Sequence, residues 1–215
     1  MVLYSYWRSS SAWRVRIALA YKSVDCAIVA VNLAPGGGEQ HRPDFLARNP
    51  MAQVPVLEIE TPNGPALITQ SMAILEYLEE THPAPPLLPR EPLLRARARQ
   101  LAEVVNSGIQ PLQNLKLQQD LRTHGLDPAP VVKQFIDRGL LALEELARTA
   151  PGRYLVGDDV TFADILLIPQ LYNARRFALD VEAYPTLRRV ERACESLPAF
   201  TAAHPNAQGD YDPRV

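Results

Sequence analysis

Residues 2–32 read VLYSYWRSSSAWRVRIALAYKSVDCAIVAVN, and this stretch decides the expected fold. Residues 2–7 are rich in aromatic and branched side chains and predict a short β-strand. The serines at 9–11 then supply hydroxyl groups suited to the start of a helix that runs to about Lys22. Residues 26–32 form a nearly continuous apolar run, which is the pattern of a strand buried on both faces. The chain is therefore expected to open as β-α-β.

The following fifty residues complete a small mixed sheet. A polar stretch at 41–48 predicts a short helix, and residues 56–60 and 66–69 predict two strands joined by a Pro-Asn-Gly turn. Ser71 begins a helix that carries apolar side chains on one face. The order β-α-β-α-β-β-α indicates a thioredoxin-like α/β domain over residues 1–81.

A proline-rich segment separates this domain from the rest of the chain. Residues 82–90 read HPAPPLLPR, and four prolines in nine residues prevent regular helix or ladder hydrogen bonding. Beyond it the strand patterns stop. Residues 91–215 are therefore expected to form an all-helical domain, with a loose polar tail from Asn206.

Four helices are expected in this second domain. Apolar residues from Leu94 to Leu115 alternate spacings of four and three, which predicts one long helix bent near Pro111. A second stripe and a third helix that opens with a capping box follow, and a fourth helix is expected at 185–197. The stripe consists of Ile136, Leu140, Leu143 and Ala147, and the capping box runs from Thr161 to Asp164.

Composition and charge exclude several classes of protein. The 215 residues carry 22 lysines and arginines against 24 acidic residues, a net charge of −2, which disfavours nucleic-acid binding through phosphate neutralisation. No run approaches the about 18 apolar residues of a membrane span, and residues 1–6 lack the pattern of a signal peptide. The expected compartment is the cytosol. Cys26 and Cys194 stand far apart, which disfavours a disulfide scaffold, a zinc site or dithiol chemistry.

Three segments are candidates for a binding site. Ser9, Ser10 and Ser11 place hydroxyl groups beside unpaired helix N–H groups, where an anion is favoured, although helix capping alone also explains them. Val54-Pro55 stands before a strand, where a cis proline turns the preceding amide outward, and Gln70-Ser71 opens the next helix. In a thioredoxin-like layout the three segments converge at one edge of the sheet.

These motifs resemble those of the zeta-class glutathione transferases, the family of maleylacetoacetate isomerases. The resemblance extends over nearly the whole chain and includes the related maleylpyruvate isomerases. It rests on the run YSYWRSSSAWRVRIAL at residues 4–19, on NPMAQVP at 49–55, QSMAI at 70–74 and IQPLQN at 109–114, and on PQ at 169–170 and NARRF at 173–177. It implies the glutathione transferase fold, with a thioredoxin-like glutathione-binding domain and a helical substrate domain.

The resemblance also implies residue roles. Ser9 is expected to donate a hydrogen bond to the glutathione sulfur, with Ser10 and Ser11 beside it. Val54, next to Pro55, is expected to pair its backbone with the cysteinyl moiety, and Gln70 and Ser71 to hold the γ-glutamyl end. Further expected contacts come from Gln40, Gln110 and Asn114. The alternatives are a strand-end glutamine for Gln70, an N-cap serine for Ser71, and two polar residues on an exposed helix face for Gln110 and Asn114, which share a face at i,i+4.

The reaction that the resemblance implies is a cis–trans isomerisation. Glutathione thiolate adds to the cis double bond of maleylacetoacetate, the resulting single bond rotates, and elimination leaves the trans fumarylacetoacetate with glutathione regenerated. A dicarboxylate substrate calls for arginine, whose planar fork binds carboxylates. Arg8 and Arg176 are the candidates for this contact, whereas Arg14 and Arg16 are interpreted as surface or ion-pair residues.

One residue departs from the family pattern, and several alternatives stay open. The family's motif has cysteine where this chain has Ser11, which weakens the case for dehalogenation-like side reactions. The alternatives are maleylpyruvate isomerase, a general glutathione transferase that conjugates electrophiles, and a non-enzymatic interaction protein that keeps the fold. A glutaredoxin-like activity is disfavoured because no cysteine stands in the serine cluster. A homodimer is expected from the resemblance.

Overall fold

The computed structural model describes residues 1–33, 38–149 and 152–214. The chain divides into two compact units. The first contains the residues up to Pro85 together with the C-terminal segment from Leu197, and the second runs from Pro86 to Ser196. The boundary near Pro85 lies inside the proline-rich segment at 82–90.

A four-stranded sheet with the order β2-β1-β3-β4 organises the first unit. The strand β1 pairs in parallel with β2 and antiparallel with β3, which pairs antiparallel with β4. The bounds are Val2–Ser5 for β1, Ala27–Ala30 for β2, Val56–Thr61 for β3 and Gly64–Thr69 for β4. This sheet, with its flanking helices, confirms the thioredoxin-like plan.

The β2 strand differs from expectation. All four of its residues are exposed, and Ile28 keeps 50% of its surface accessible. The interpretation of residues 26–32 as a strand buried on both faces is therefore wrong. The strand lies at the edge of the sheet, so its apolar composition does not reflect burial within this chain.

Three helices in the first unit follow the expected order: α1 (Ser10–Tyr21), α2 (Pro43–Leu46) and α3 (Ser71–Thr81). A 3₁₀ turn at Glu39–His41 precedes α2. Every residue of α1 from Ala12 to Leu19 is buried, so this helix is enclosed on all sides.

The C-terminal segment corrects the expected domain bounds of 91–215. A short helix, α9 (Pro198–Ala203), packs on α1, and the residues after it belong to the first unit. The tail from Asn206 is not loose, because Asp210 accepts a hydrogen bond from the Trp7 N–H at 2.9 Å. A contact between residues 203 positions apart leaves no local pattern in the sequence.

The second unit is helical, as expected, but its first helix is shorter than predicted. One long helix over residues 94–115 is wrong: α4 ends at Asn106, a 3₁₀ turn covers Gln110–Gln113, and α5 begins at Leu115. Pro111 lacks an N–H, which disfavours a continuous helix through this position. The Asn114 side chain caps α5, so a new helix begins after it. The bounds are Pro92–Asn106 for α4, Leu115–Thr123 for α5, Pro128–Ala147 for α6, Phe162–Arg176 for α7 and Pro185–Glu195 for α8.

The other helical expectations in this unit are confirmed. The four stripe residues of α6 are fully buried, and α7 opens with the predicted capping box. In that box the buried Asp164 carboxylate accepts from the Thr161 N–H at 2.8 Å and from the Thr161 hydroxyl at 2.9 Å. Among the helices described, none is long and apolar enough to cross a membrane.

Candidate functional site

One edge of the sheet brings together the three candidate segments of the first unit. Tyr4 pairs with Val56, and Val56 pairs with Thr69, so these residues form a row across three strands. The serine cluster follows β1, Val54-Pro55 precedes β3, and Gln70-Ser71 follows β4. The register therefore places all three segments beyond the same edge, as the thioredoxin-like layout predicted.

The serine cluster begins α1. Ser9 is the capping residue, and its Oγ accepts from the Ala12 N–H at 3.2 Å. This bond uses a lone pair of the oxygen, so the hydroxyl hydrogen can still be donated to a ligand. Ser9 and Ser11 are partly exposed, whereas Ser10 is 8% exposed. Capping and anion binding are thus compatible at Ser9.

The segment before β3 contains the predicted cis bond, between Val54 and Pro55. The β3 ladder pairs begin at Val56, so the Val54 backbone lies outside the ladder. Gln40, in the 3₁₀ turn, is 6% exposed, and its Oε1 has no hydrogen-bond partner among the described residues. A buried acceptor of this kind normally has a donor, which is consistent with a ligand contact.

Gln70 and Ser71 form the start of α3. Gln70 is exposed and has φ 69° and ψ 117°, a backbone conformation that L-residues rarely adopt. Such strained residues cluster at ligand sites, where the surrounding structure holds them in place. Ser71 is 5% exposed, and its Oγ accepts from Arg14 Nη1 at 3.1 Å. The first-turn N–H groups of α3 favour an anionic group at this position.

For two arginines of α1, the surface half of the expectation is wrong. Arg14 is 1% exposed and Arg16 is 3% exposed, so neither is a surface residue. Arg14 joins α1 to the start of α3 through Ser71, which makes it a positioning residue that sequence analysis missed. The sequence did indicate this burial. A helix that is apolar on all faces is enclosed, so the arginines within it are buried and need hydrogen-bond or charge partners.

Arg8 lies between β1 and α1. It is partly exposed, and its guanidinium carbon lies 5.3 Å from the centroid of the Trp7 ring. This is a cation–π geometry, which holds the side chain while its N–H groups remain able to donate.

Gln110 and Asn114 belong to the second unit. The expectation that they lie on the same face of one helix is wrong. Gln110 begins the 3₁₀ turn, and Asn114 caps α5 by accepting from the Lys116 N–H at 3.4 Å. Both are partly exposed. The turn between them is held by Gln113, whose buried side-chain amide exchanges two hydrogen bonds with that of Gln170, at 2.9 and 3.0 Å.

Arg176 ends α7 in the second unit. Its Nη1 donates to Asn173 Oδ1 at 3.2 Å, and the residue is exposed. The adjacent Arg175 is bound instead by Glu191, through two bonds of 2.6 and 2.7 Å. Arg175 is therefore already paired with a carboxylate.

Comparisons with known proteins place both parts of the chain in one family. The N-terminal domain of glutathione S-transferases matches residues 1–80, and the C-terminal domain of the same family matches residues 129–198. The rat maleylacetoacetate isomerase is 46% identical over 209 residues, which cover 97% of this chain and 94% of that protein.

Solved structures give the same result. A maleylacetoacetate isomerase from Anaeromyxobacter dehalogenans, solved with bound dicarboxyethyl glutathione and citrate in the active site, is 52% identical with a TM-score of 0.88. That match covers 99% of this chain and 94% of the other. A maleyl pyruvate isomerase, described as a bacterial glutathione S-transferase in zeta class, is 40% identical with a TM-score of 0.92. It covers 99% of this chain and 100% of the other.

Proposed function

The chain belongs to the zeta class of the glutathione transferase family, and on that premise we propose that it isomerises maleylacetoacetate to fumarylacetoacetate with glutathione as its cofactor. The observation that carries the proposal is the convergence of the serine cluster, Val54-Pro55 and Gln70-Ser71 at one sheet edge. Each segment offers a different kind of group to the tripeptide.

The residues at this edge fit glutathione. The α-carboxylate of the γ-glutamyl end suits the start of α3, where the Ser71 hydroxyl and the first-turn N–H groups donate. The Val54 backbone, outside the ladder, is free of strand pairing and suits the cysteinyl moiety. The Gln40 Oε1 atom supplies a buried acceptor for an N–H of the ligand.

Ser9 is the residue to which we assign the sulfur. When bound, glutathione supplies the thiolate that adds to the cis double bond and departs after rotation. The Ser9 hydroxyl donates to that sulfur, while the Ala12 N–H polarises the same hydroxyl. A hydrogen bond to a charged group contributes about 1.5–3 kcal/mol, whereas a helix N-terminus contributes about 0.3–1 kcal/mol. The hydroxyl is thus the larger contribution to thiolate formation, with Ser10 and Ser11 in supporting positions.

We propose Arg8 and Arg176, each by itself, as candidates for contact with a substrate carboxylate. Arg8 is held on Trp7, and Arg176 is held by Asn173, so both guanidinium groups are oriented before substrate arrives. The ligand named in the Anaeromyxobacter structure is glutathione that carries a dicarboxyethyl group. A dicarboxylate joined to glutathione in a relative that is 52% identical supports a dianionic substrate here.

Maleylpyruvate is the second candidate substrate, favoured by the TM-score of 0.92 to a maleyl pyruvate isomerase. The two cis compounds should be assayed side by side with the purified protein and glutathione. A kcat/KM at least tenfold higher for maleylacetoacetate supports the proposal, and the reverse ratio supports the alternative.

General conjugation is tested by the glutathione balance. Isomerisation regenerates glutathione, so free thiol stays constant while the trans product accumulates. Loss of thiol in step with product would show conjugation instead. Failure to bind glutathione by calorimetry would remove the proposal and favour a non-enzymatic role.

We further propose a cytosolic homodimer. Both cysteines are free thiols, and a glutathione-dependent reaction suits a reducing compartment. Light scattering of the purified protein tests the dimer, since a mass of one chain would contradict it.

A further inference from the structure

The C-terminal tail contacts the loop that leads into the serine cluster. Asp210 Oδ2 accepts from the Trp7 N–H at 2.9 Å. The Tyr211 ring meets the Trp7 ring edge-on, with centroids 5.0 Å apart and planes at 89°. We call Asp210 and Tyr211 the C-terminal anchor.

The other side of the same loop is held by Arg16. Its Nη2 donates to the Trp7 carbonyl at 2.9 Å, and its Nη1 donates to the Tyr6 carbonyl at 3.3 Å and to Ser5 Oγ at 2.9 Å. The Arg16 Nε donates to the Ala203 carbonyl, in α9, at 3.3 Å. Both backbone polar groups of Trp7 are therefore bound, one by Asp210 and the other by Arg16.

Charge links Asp210 to Arg16 as well. Burial lowers the pKa of Arg16 to about 10, and the attraction of the Asp210 carboxylate opposes that change. The four hydrogen-bond acceptors of Arg16 named above are neutral. A buried cation needs a counter-charge, so Asp210 stabilises both the Trp7 N–H and the guanidinium that binds the Trp7 carbonyl.

The anchored loop carries two residues of the proposed site. Ser9 follows Trp7 by two positions, and its N–H donates to the Tyr6 carbonyl at 3.0 Å. Arg8 stacks on the Trp7 ring, on which the Tyr211 ring also packs. The position of Trp7 therefore controls where the Ser9 hydroxyl and the Arg8 guanidinium lie.

We propose that Asp210 and Tyr211 are positioning residues, which hold the 6–9 loop in the geometry that the Ser9 hydroxyl and Arg8 need for the isomerisation. This inference rests on the proposed function. It assigns a role in catalysis to two residues of the C-terminal segment, although they lie more than 190 positions from the serines that they support.

The test compares Asp210→Ala, Asp210→Asn and Tyr211→Ala with wild type. Tyr211→Ala removes the ring contact with Trp7 and should lower kcat as well, and an unchanged kcat would remove Tyr211 from the proposed role. Asp210→Ala removes the acceptor, and a small displacement of catalytic groups lowers rates steeply, so we expect kcat to fall about tenfold. The KM for glutathione should stay within about twofold, because Gln70 and Ser71 belong to another segment. Asp210→Asn keeps an oxygen that accepts the Trp7 N–H but removes the charge that faces Arg16, so its kcat should lie between those of Asp210→Ala and wild type.

Asp212→Asn is the matched control. Its carboxylate lies two residues further along the same tail and binds Arg214, at 2.8–2.9 Å. It should leave kcat unchanged. Equal kcat in Asp210→Ala and Asp212→Asn would overturn the inference, as would an Asp210→Ala protein that loses thermal stability but keeps its kcat.

Tryptophan fluorescence and glutathione thiolate absorbance distinguish a failure of the anchor from a failure of the proposed function. Tryptophan fluorescence should shift in Asp210→Ala whether or not the protein is an isomerase, because the N–H and ring contacts of Trp7 change. An unchanged spectrum would contradict the anchor itself. Absence of glutathione thiolate absorbance in wild type would overturn the proposed function and the catalytic role of the anchor together.

Discussion

Replacement of Ser9 by alanine tests the proposed chemistry most directly. In the structure Ser9 Oγ accepts from the Ala12 N–H at 3.2 Å, and its hydrogen is the donor assigned to the sulfur. Loss of a hydrogen bond to a charged group costs about 1.5–3 kcal/mol, and one pKa unit corresponds to about 1.4 kcal/mol. We therefore expect the pKa of the bound thiol to rise by about 1–2 units.

The effect on rate follows from the thiolate fraction. A free thiol of this type has a pKa of about 8.5, and the helix N-terminus alone lowers it by less than one unit. The wild-type protein is thus expected to hold at least about half of the bound sulfur as thiolate at pH 7, and Ser9→Ala about a tenth. Turnover at pH 7 should fall about five- to tenfold and recover as pH rises towards 9.

The assay is an ultraviolet titration of the glutathione complex, followed by kcat against pH. Ser9→Gly is the matched control, because glycine preserves most of the capping free energy while it also lacks the hydroxyl. The two variants should share one thiol pKa and differ in thermal stability. An unchanged titration in Ser9→Ala would refute the role of Ser9, and a shift found only in Ser11→Ala would transfer it to Ser11.

Three other substitutions test separate parts of the structure. Arg176→Ala should raise the KM for the dicarboxylate about ten- to hundredfold and leave the KM for glutathione unchanged, since a charged hydrogen bond is lost; equal KM values in steady-state assays would contradict the anchoring role. Arg14→Met removes the donor to Ser71 and should raise the KM for glutathione with little change in kcat; calorimetry should show the same loss of affinity. Lys22 Nζ lies 2.7 Å from the Glu79 carboxylate, and both side chains are buried. Glu79→Leu leaves the lysine charge without its counter-charge, so the free energy of unfolding measured in urea should fall by about 3–5 kcal/mol. The double variant with Lys22→Met should recover much of that loss, and a double variant as unstable as Glu79→Leu would argue against a charge effect.

Local patterns predicted most of the fold. The hydroxyl cluster predicted the start of α1 because a capping residue satisfies N–H groups within the next three positions. The apolar stripe of α6 predicted which face of that helix is buried, because residues three or four positions apart lie on the same side of a helix. The site segments followed from the order of strands and helices together with the family resemblance.

Burial and long-range pairing account for the errors. Arg14 and Arg16 were expected at the surface or in ion pairs, and the surface position is wrong because α1 is enclosed on all sides. The apolar strand β2 was taken as buried on both faces, yet the exposure of a strand depends on its place in the sheet as well as on its composition. The spacing from Leu94 to Leu115 continued through Pro111, although the chain breaks there into two helices.

By itself, the sequence determined the class of fold, the family and the serines at the start of α1. Each of these can be recognised from residues that are close together along the chain. Only the tertiary structure decided that the tail returns to Trp7 and that Arg14 reaches Ser71. Contacts between such distant positions depend on how the helices and strands pack. Residue type alone does not show whether an arginine or an aspartate is buried. The geometry around the proposed sulfur site is therefore a property of the folded first unit.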